Sequence, residues 1–330
     1  MARSIISIVS AALLAWEFYG ATLPRLDFFE LDASLPYPVY ATPSGIPGYI
    51  GRNPAEILSI STPRPAAPNP ETEPGMYNDT ERPDTQKEDE PVEVTLMPGS
   101  GDSFLKAEGV VIHNETKINI DMDKVMARKL TLELPPAKSP QILIIHTHRH
   151  ESYYGGGNIV EIGEKLAEFL IGEGFNVIHD RTEYDKPNFS AAYSSALKGV
   201  TKILKDNPGI QVVLDIHRDA ITGTDGTVKK PVAVIDGEKT AQLMFVVGTN
   251  NSGLPHNDWP HNLAFAVAMQ KLLVSETPEL MRPINLRRER FNQHTTRGSL
   301  ILEVGAHGNS FEEAERAIKL FAGAAAEVLK

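Results

Sequence analysis

The chain has 330 residues, 41% of them hydrophobic, enough for the core of one large or two ordinary domains. With 43 acidic against 32 basic residues its formal charge is −11, which argues against a nucleic-acid partner held through phosphate contacts. It has no cysteine. That excludes disulfides, thiolate zinc sites and a cysteine nucleophile, so any metal must be held by His, Asp or Glu.

The N-terminus reads MARSIISIVSAALLAWEFYGATL, uncharged from Ser4 to Trp16 and then broken by Glu17. Such a run suits the core of a signal peptide, and counted through Glu17 it reaches the roughly 20 residues of a membrane span. No small-x-small cleavage site follows, so residues 1–24 are expected to be a hydrophobic signal-anchor with the rest of the chain outside the cytoplasm. Residues 25–100 are rich in proline and acidic residues (STPRPAAPNPETEPG, TQKEDEPVE). Such a segment cannot bury enough apolar surface to offset its ordering entropy, and it reads as an extracytoplasmic linker.

Residues 101–330 have the texture of a folded domain. VVIHN and KINID predict short extended pieces, and QILII at 141–145 predicts a strand. IVEIGEKLAEFLIGEGF has helical spacing closed by Gly174. NVIHD is a strand, NFSAAYSSALKGVTKILKDNPG a helix ended by Asn-Pro-Gly, and IQVVLDIHRD another strand. PVAVIDGEKTAQLMFVVGTN predicts a hairpin turning at Asp236-Gly237. LAFAVAMQKLLVS is a helix, SLILEVG a strand, and FEEAERAIKLFAGAAAEVL a closing helix. Strands alternating with helices predict an α/β layered domain, a largely parallel sheet flanked by helices.

Sites in open α/β sheets gather at the carboxyl ends of strands. His146, His148 and Glu151 follow ILII, His217 follows QVVLDI, and Glu303 lies near the end of SLILEV. A catalytic zinc takes three protein ligands of nitrogen or oxygen type and keeps an open position. His148 and Glu151, three apart on a turn, can face one cation, with His217 as the third ligand from a neighbouring strand. A further carboxylate is then needed to handle the proton of water, and Glu303 is placed for it. A histidine at a strand end is more often a satisfied structural residue, so the joint placement is what points to a metal hydrolase.

Read in order, ILIIHTHRHESY, VIHDRTEYD, VVLDIHRDA, FVVGTN, LPHNDW with Asn262 following, RFNQ and SLILEVGAHGNSFEEA resemble the stage II sporulation protein P family of endospore-forming bacteria over roughly residues 105–330. The sequence departs slightly from the family, with Arg149-His150 where a small polar pair is more usual and a short anchor carrying Glu17. The resemblance implies a fold similar to cell-wall amidases and a zinc-dependent N-acetylmuramoyl-L-alanine amidase, one Zn2+ per chain. It is also associated with cleavage of peptide cross-links. The implied setting is thinning of septal peptidoglycan during forespore engulfment, in the space between mother cell and forespore. The implied partners are sporulation protein D, a lytic transglycosylase, and sporulation protein M. ILIIHTH runs in step with the apolar strand and Gly-His of cell-wall amidases, which favours His148 over His146 as ligand, with Glu151 and His217 completing the set and Glu303 as base. His146 and Asp219 become candidates to orient the ligands, and Arg218 to hold a substrate carboxylate or pair with Asp215 or Asp219. Asn250, Asn292 and Gln293 are candidates to line the groove, while His150 is a bystander and His179, His256, His261, His294 and His307 are read as structural or exposed. A zinc carboxypeptidase or endopeptidase on stem peptides would use the same ligand chemistry, and a non-catalytic anchored scaffold needs none of it.

Overall fold

The structure, a computed structural model, describes residues 90–330 apart from Pro187. The signal-anchor and most of the linker lie outside the described residues. Among those described, no helix is long and apolar enough to cross a membrane.

Chain order is β1 (Val92–Val94), β2 (Phe104–Ala107), β3 (Val110–Asn114), α1 (Met122–Ala127), β4 (Ile142–Ile145), α2 (Ile159–Gly172), β5 (Val177–His179), α3 (Ala192–Asp206) and β6 (Val212–Asp219). Then come β7 (Lys229–Ile235), β8 (Glu238–Ala241), β9 (Leu243–Gly248), α4 (Trp259–Glu276), β10 (Ile284–Arg287), β11 (Gly298–Ala306) and α5 (Phe311–Leu329). Eight strands form the central sheet in the order β2-β3-β10-β9-β11-β6-β4-β5, and β1-β7-β8 form a smaller one. The central sheet is parallel within β11-β6-β4-β5 and within β3-β10-β9, and the two halves meet antiparallel at β9–β11. The α/β layered fold is therefore as expected, with its two parallel halves running in opposite directions.

Period-2 alternation sorts the strands' side chains onto two faces. Val212, Leu214 and Ile216 of β6 and Leu300, Leu302 and Val304 of β11 join the main core with α2, α4 and α5. Phe245, Phe265 and Phe321 are fully buried there, and truncating such a ring to alanine typically costs about 3–5 kcal/mol. On the other face Leu143, Ile145 and Val213 pack under α3. α2 opens with a capping box between Asn158 and Glu161, and Gly174 follows its end as predicted, donating to the Ile171 carbonyl.

Four expectations are corrected. KINID forms no strand, because Asn114 Oδ1 accepts from the Thr116 amide and hydroxyl, and the Ile118 amide donates to Thr116 Oγ1. These side chains satisfy backbone groups that a strand would pair. The hairpin does turn at Asp236-Gly237, both at positive φ. Its second arm, however, leaves β8 at the buried Gln242 and enters the central sheet as β9. The Gln242 amide holds that step by bonding both backbone groups of Leu96 and the Glu279 carbonyl. The folded domain also starts ahead of residue 101. β1 lies in the segment read as linker, paired along β7, with Glu93 near Lys230 and Lys239. Last, β2 and β10 are strands although their sequences carry no clear strand signal.

Candidate active site

β4, β6 and β11 lie side by side and run the same way, so their carboxyl ends share one edge. Ile145 is in register with Asp215, and His217 with Glu303. Asp215, His217 and Glu303 thus point to the face that α3 only partly covers. Just past Glu303 the β6–β11 register shifts. Gly305 there has φ +65, and a Cβ would fall 2.7 Å from Asn309 Oδ1, so only glycine fits this bulge.

His148 follows β4 on a turn and is 2% exposed. Its ring stacks on Phe189 at 4.3 Å and meets Tyr193 and His217 edge-on at 5.7 Å. Both its ring nitrogens are buried with no hydrogen-bond partner among the described residues. Burial, helped by the charge of His217, drops its pKa to about 3. Such a ring stays neutral at ordinary pH and has a lone pair to give.

His217 is held between two carboxylates. Its Nε2 lies 2.9 Å from Asp215 Oδ1, an ion pair rather than an aligned hydrogen bond, and its Nδ1 lies 3.4 Å from Glu151 Oε2. Burial opposes its charge, but Asp215 and Glu151 outweigh that and hold its pKa well above the ordinary value. Asp215 is itself pinned by the amide and hydroxyl of Thr147. Burial works against its charge too, but His217 and Thr147 keep its carboxyl low. Glu151 Oε2 accepts from the Arg218 amide at 3.0 Å.

Glu303 is 7% exposed, and its Oε2 has no partner among the described residues. Burial and the charges of Asp219 and Glu151 raise its pKa to about 8, with His217 and Arg282 pulling the other way.

The predicted ligand set is therefore brought together, although among the described residues no three His, Asp or Glu side chains converge on one point ready to hold a metal. The donors still fit zinc. Two ligands of a tetrahedral zinc lie roughly 3.3 Å apart, the separation of His217 Nδ1 from Glu151. Asp215 stands where a carboxylate usually orients a metal-bound imidazole, and His148 offers a buried nitrogen with nothing else to bind.

The other candidates fall into place unevenly. His146 faces the opposite side of the sheet. Its Nδ1 is 3.2 Å from the Ile216 carbonyl, its Nε2 is 2.8 Å from His179 Nε2, and a Cβ on Gly163 of α2 would fall 2.5 Å from it. It reaches the site only through the backbone next to His217. Asp219 bonds Arg282 at 2.7 Å and the Ala220 amide rather than a ligand histidine. The Arg218 guanidinium donates to the carbonyls of Ser152 and Asp219 and, among the described residues, to no carboxylate. Asn292 donates to the Tyr193 carbonyl, fixing the segment that carries that ring. Gln293 is buried, accepting from the Gly248 amide and donating to the Val246 carbonyl, so it lines no groove. Asn250 sits exposed on a turn past β9, at the opposite edge of the sheet. His150 is exposed beside Glu183 and Asp185. Gly155, Gly156 and Gly157 all have positive φ and turn the chain into α2.

Sequence reasoning misses three neighbours. A carboxylate inside the apolar run VVLDI is the available signal for Asp215, since burying one is costly unless it is paired. Phe189 and Tyr193 give no signal. The Tyr193 phenol is pushed well above its ordinary value by burial and by Asp215, Glu303 and Glu151.

A family model described as stage II sporulation protein P matches residues 66–326. The chain belongs to the stage II sporulation protein P family. The Bacillus subtilis (strain 168) protein of that name is 25% identical over 270 residues, 71% of this chain and 64% of that protein, so the match spans just under two thirds of its length. Among solved structures, an N-acetylmuramoyl-L-alanine amidase from Clostridium difficile 630 is 13% identical, covering 58% of this chain and 95% of that one with a TM-score of 0.36. The CwlD amidase from Clostridioides difficile, in complex with the GerS lipoprotein, is 14% identical over 57% and 94% of the two chains, TM-score 0.35. For the amidase AmiC2 of Nostoc punctiforme the values are 14%, 57%, 94% and 0.34.

Proposed function

We propose that this protein is a peptidoglycan hydrolase, a zinc-dependent N-acetylmuramoyl-L-alanine amidase that thins septal peptidoglycan during forespore engulfment. Family membership supports the sporulation setting. On the same ground we propose an extracytoplasmic catalytic domain on an N-terminal membrane anchor, and sporulation proteins D and M as partners. The observation that carries the chemistry is the buried, unpartnered His148 beside the Glu151–His217 pair, with Glu303 adjacent.

His148, Glu151 and His217 would hold the metal, and Asp215 would keep the His217 ring in place. The chemistry zinc supplies when bound is Lewis acidity toward the amide carbonyl and toward water. Glu303 takes the proton from the attacking water and returns it to the departing alanine nitrogen. A carboxyl that keeps its proton to about pH 8 is a good donor and a weak acceptor. Added positive charge beside it lowers that value toward neutrality, which suits a group that must do both. Phe189 and Tyr193 wall off the His148 side and limit water there.

The test is metal content together with mass spectrometry of digested peptidoglycan. One zinc per chain and free stem peptides beginning with L-Ala are expected. Trimmed or uncross-linked peptides still attached to sugar would make the enzyme a peptidase instead. A metal-free protein that releases nothing would be a scaffold.

A further inference from the structure

Two of the motifs, LPHNDW and RFNQH, supply no ligand or proton-transfer group to the hydrolytic site, although Asn292 and Phe291 of the second brace Tyr193. They form two loops at the far ends of β9 and β10. By the β9–β11 register, Gly248 lies four strand residues from the level of Met244 and Glu303, about 13 Å away. The loops are locked together. Gln293 bonds two backbone groups of β9, and Asn262 Nδ2 is shared among the carbonyls of Gln293, Thr296 and Ser299.

Inside this frame are two groups that the fold leaves unsatisfied. Arg290 is 8% exposed, and among the described residues its side chain donates only to the Pro255 carbonyl at 3.1 Å and its buried Nε–H has no acceptor. Among the described residues it forms no ion pair. His256, next to Pro255, is 1% exposed, and among the described residues neither ring nitrogen has a partner. The His294 ring meets it edge-on at 6.3 Å. Asp258, the carboxylate that acts on the His256 charge, is taken up by Arg297 and His261.

Arginine cannot shed its proton, and a buried cation without a counter-charge is costly. Neutral His256 adds one more N–H donor and one lone pair to the same place. A cation would be repelled by Arg290, whereas an oxyanion accepts from both donors. We infer that His256 and Arg290, framed by the LPHNDW and RFNQH loops, form a binding site for a small oxyanion, separate from the hydrolytic site. A peptide carboxylate and a polymer or free phosphate share that chemistry.

The experiment follows the His256 ring resonances of the full chain by NMR during titration with inorganic phosphate, with N-acetyl-D-alanine, and with sodium chloride at matched ionic strength. The expected result is a saturable shift with phosphate or N-acetyl-D-alanine and none with chloride. The stronger of the two responses identifies the source as phosphate or carboxylate. Arg290→Gln should weaken binding at least tenfold, and Arg290→Lys, which keeps charge but loses the planar fork, should fall between. If neither anion moves the His256 signals beyond chloride, His256 and Arg290 bind no oxyanion and the inference is overturned. That outcome is read on the wild-type protein, so it stands even where a variant fails to fold. Loss of hydrolysis in Glu303 variants leaves it untouched.

Discussion

The two ends of the central sheet both carry polar motif residues and use most of them in different ways. At the end where β4, β6 and β11 finish, His148 and Glu303 are buried with heteroatoms left open. At the other end Asn262 Nδ2, the Gln293 amide and the Thr249 hydroxyl bond backbone groups of β9, β10, β11 and the loop before β11. Among the described residues the open heteroatoms there include those of His256, Arg290 Nε and Asn262 Oδ1. Both sets look alike as letters, buried polar residues in loops. What separates chemistry from scaffolding is whether the heteroatoms are already spoken for. Burying a polar group without a partner costs stability, so a cluster of such groups marks a place where a ligand would be favoured.

The sharpest test of that contrast is a pair of substitutions with opposite readouts. Glu303→Gln should cut peptidoglycan hydrolysis by about 10²- to 10⁴-fold, the usual loss for a proton-transfer group. It should leave the thermal midpoint at neutral pH essentially unchanged, because Oε2 has no partner to lose and the carboxyl it replaces already keeps its proton to about pH 8. Normal lysis by this variant would remove Glu303 from the mechanism. Asn262→Ala should do the reverse. It strands three carbonyls and opens a void beside α4, costing about 2–4 kcal/mol. The midpoint should fall by several degrees, while the specific activity of the molecules still folded stays near wild type.

Much of this contrast is legible in the sequence, and the misses have definite causes. His148, Glu151, His217 and Glu303 can be found because each follows an apolar strand, and parallel neighbours bring such ends to one edge. His146 resembles a neighbour of the metal because His146 and His148 share a face only in an extended chain. β4 stops at Ile145 and the next residues form a turn, so the two rings end on opposite sides of the sheet. Gln293 and Asn250 belong in the groove only if all strands run one way. The antiparallel β9–β11 junction sends the ends of β9 and β10 to the other edge, and no local pattern reveals that. β10 escapes notice because INLR is short and half polar. The strands that pair with it, β9 and above all β3, lie far away in sequence.

On the α2 side of the site edge, pH offers a smaller effect. His146 and His179 share one short contact as neutral rings. Burial and the charge of His179 depress His146 to about 3, while burial and Arg181 depress His179 to about 4. The unfolded chain takes up these protons below about pH 6.5, and the folded chain does not. Stability should therefore fall as pH drops from about 6.5 toward 4, with each pKa unit worth about 1.4 kcal/mol before screening. Denaturant midpoints across that window, compared with a His179→Gln variant, give the check. An unchanged slope in the variant would mean that the acid sensitivity comes from elsewhere.

The smallest effect belongs to a residue of neither kind. Asn250 is exposed on a turn, and its carbonyl accepts from the Gly253 amide. Its side chain forms no hydrogen bond among the described residues. It fills no buried space, satisfies no backbone group and faces away from Glu303 along the sheet. Asn250→Ala should then shift stability by less than about 0.5 kcal/mol, leaving hydrolysis and the His256 response to anions unchanged. A clear loss of hydrolysis would mean that the substrate reaches across the sheet to the β9 edge, joining two ends that the geometry keeps separate.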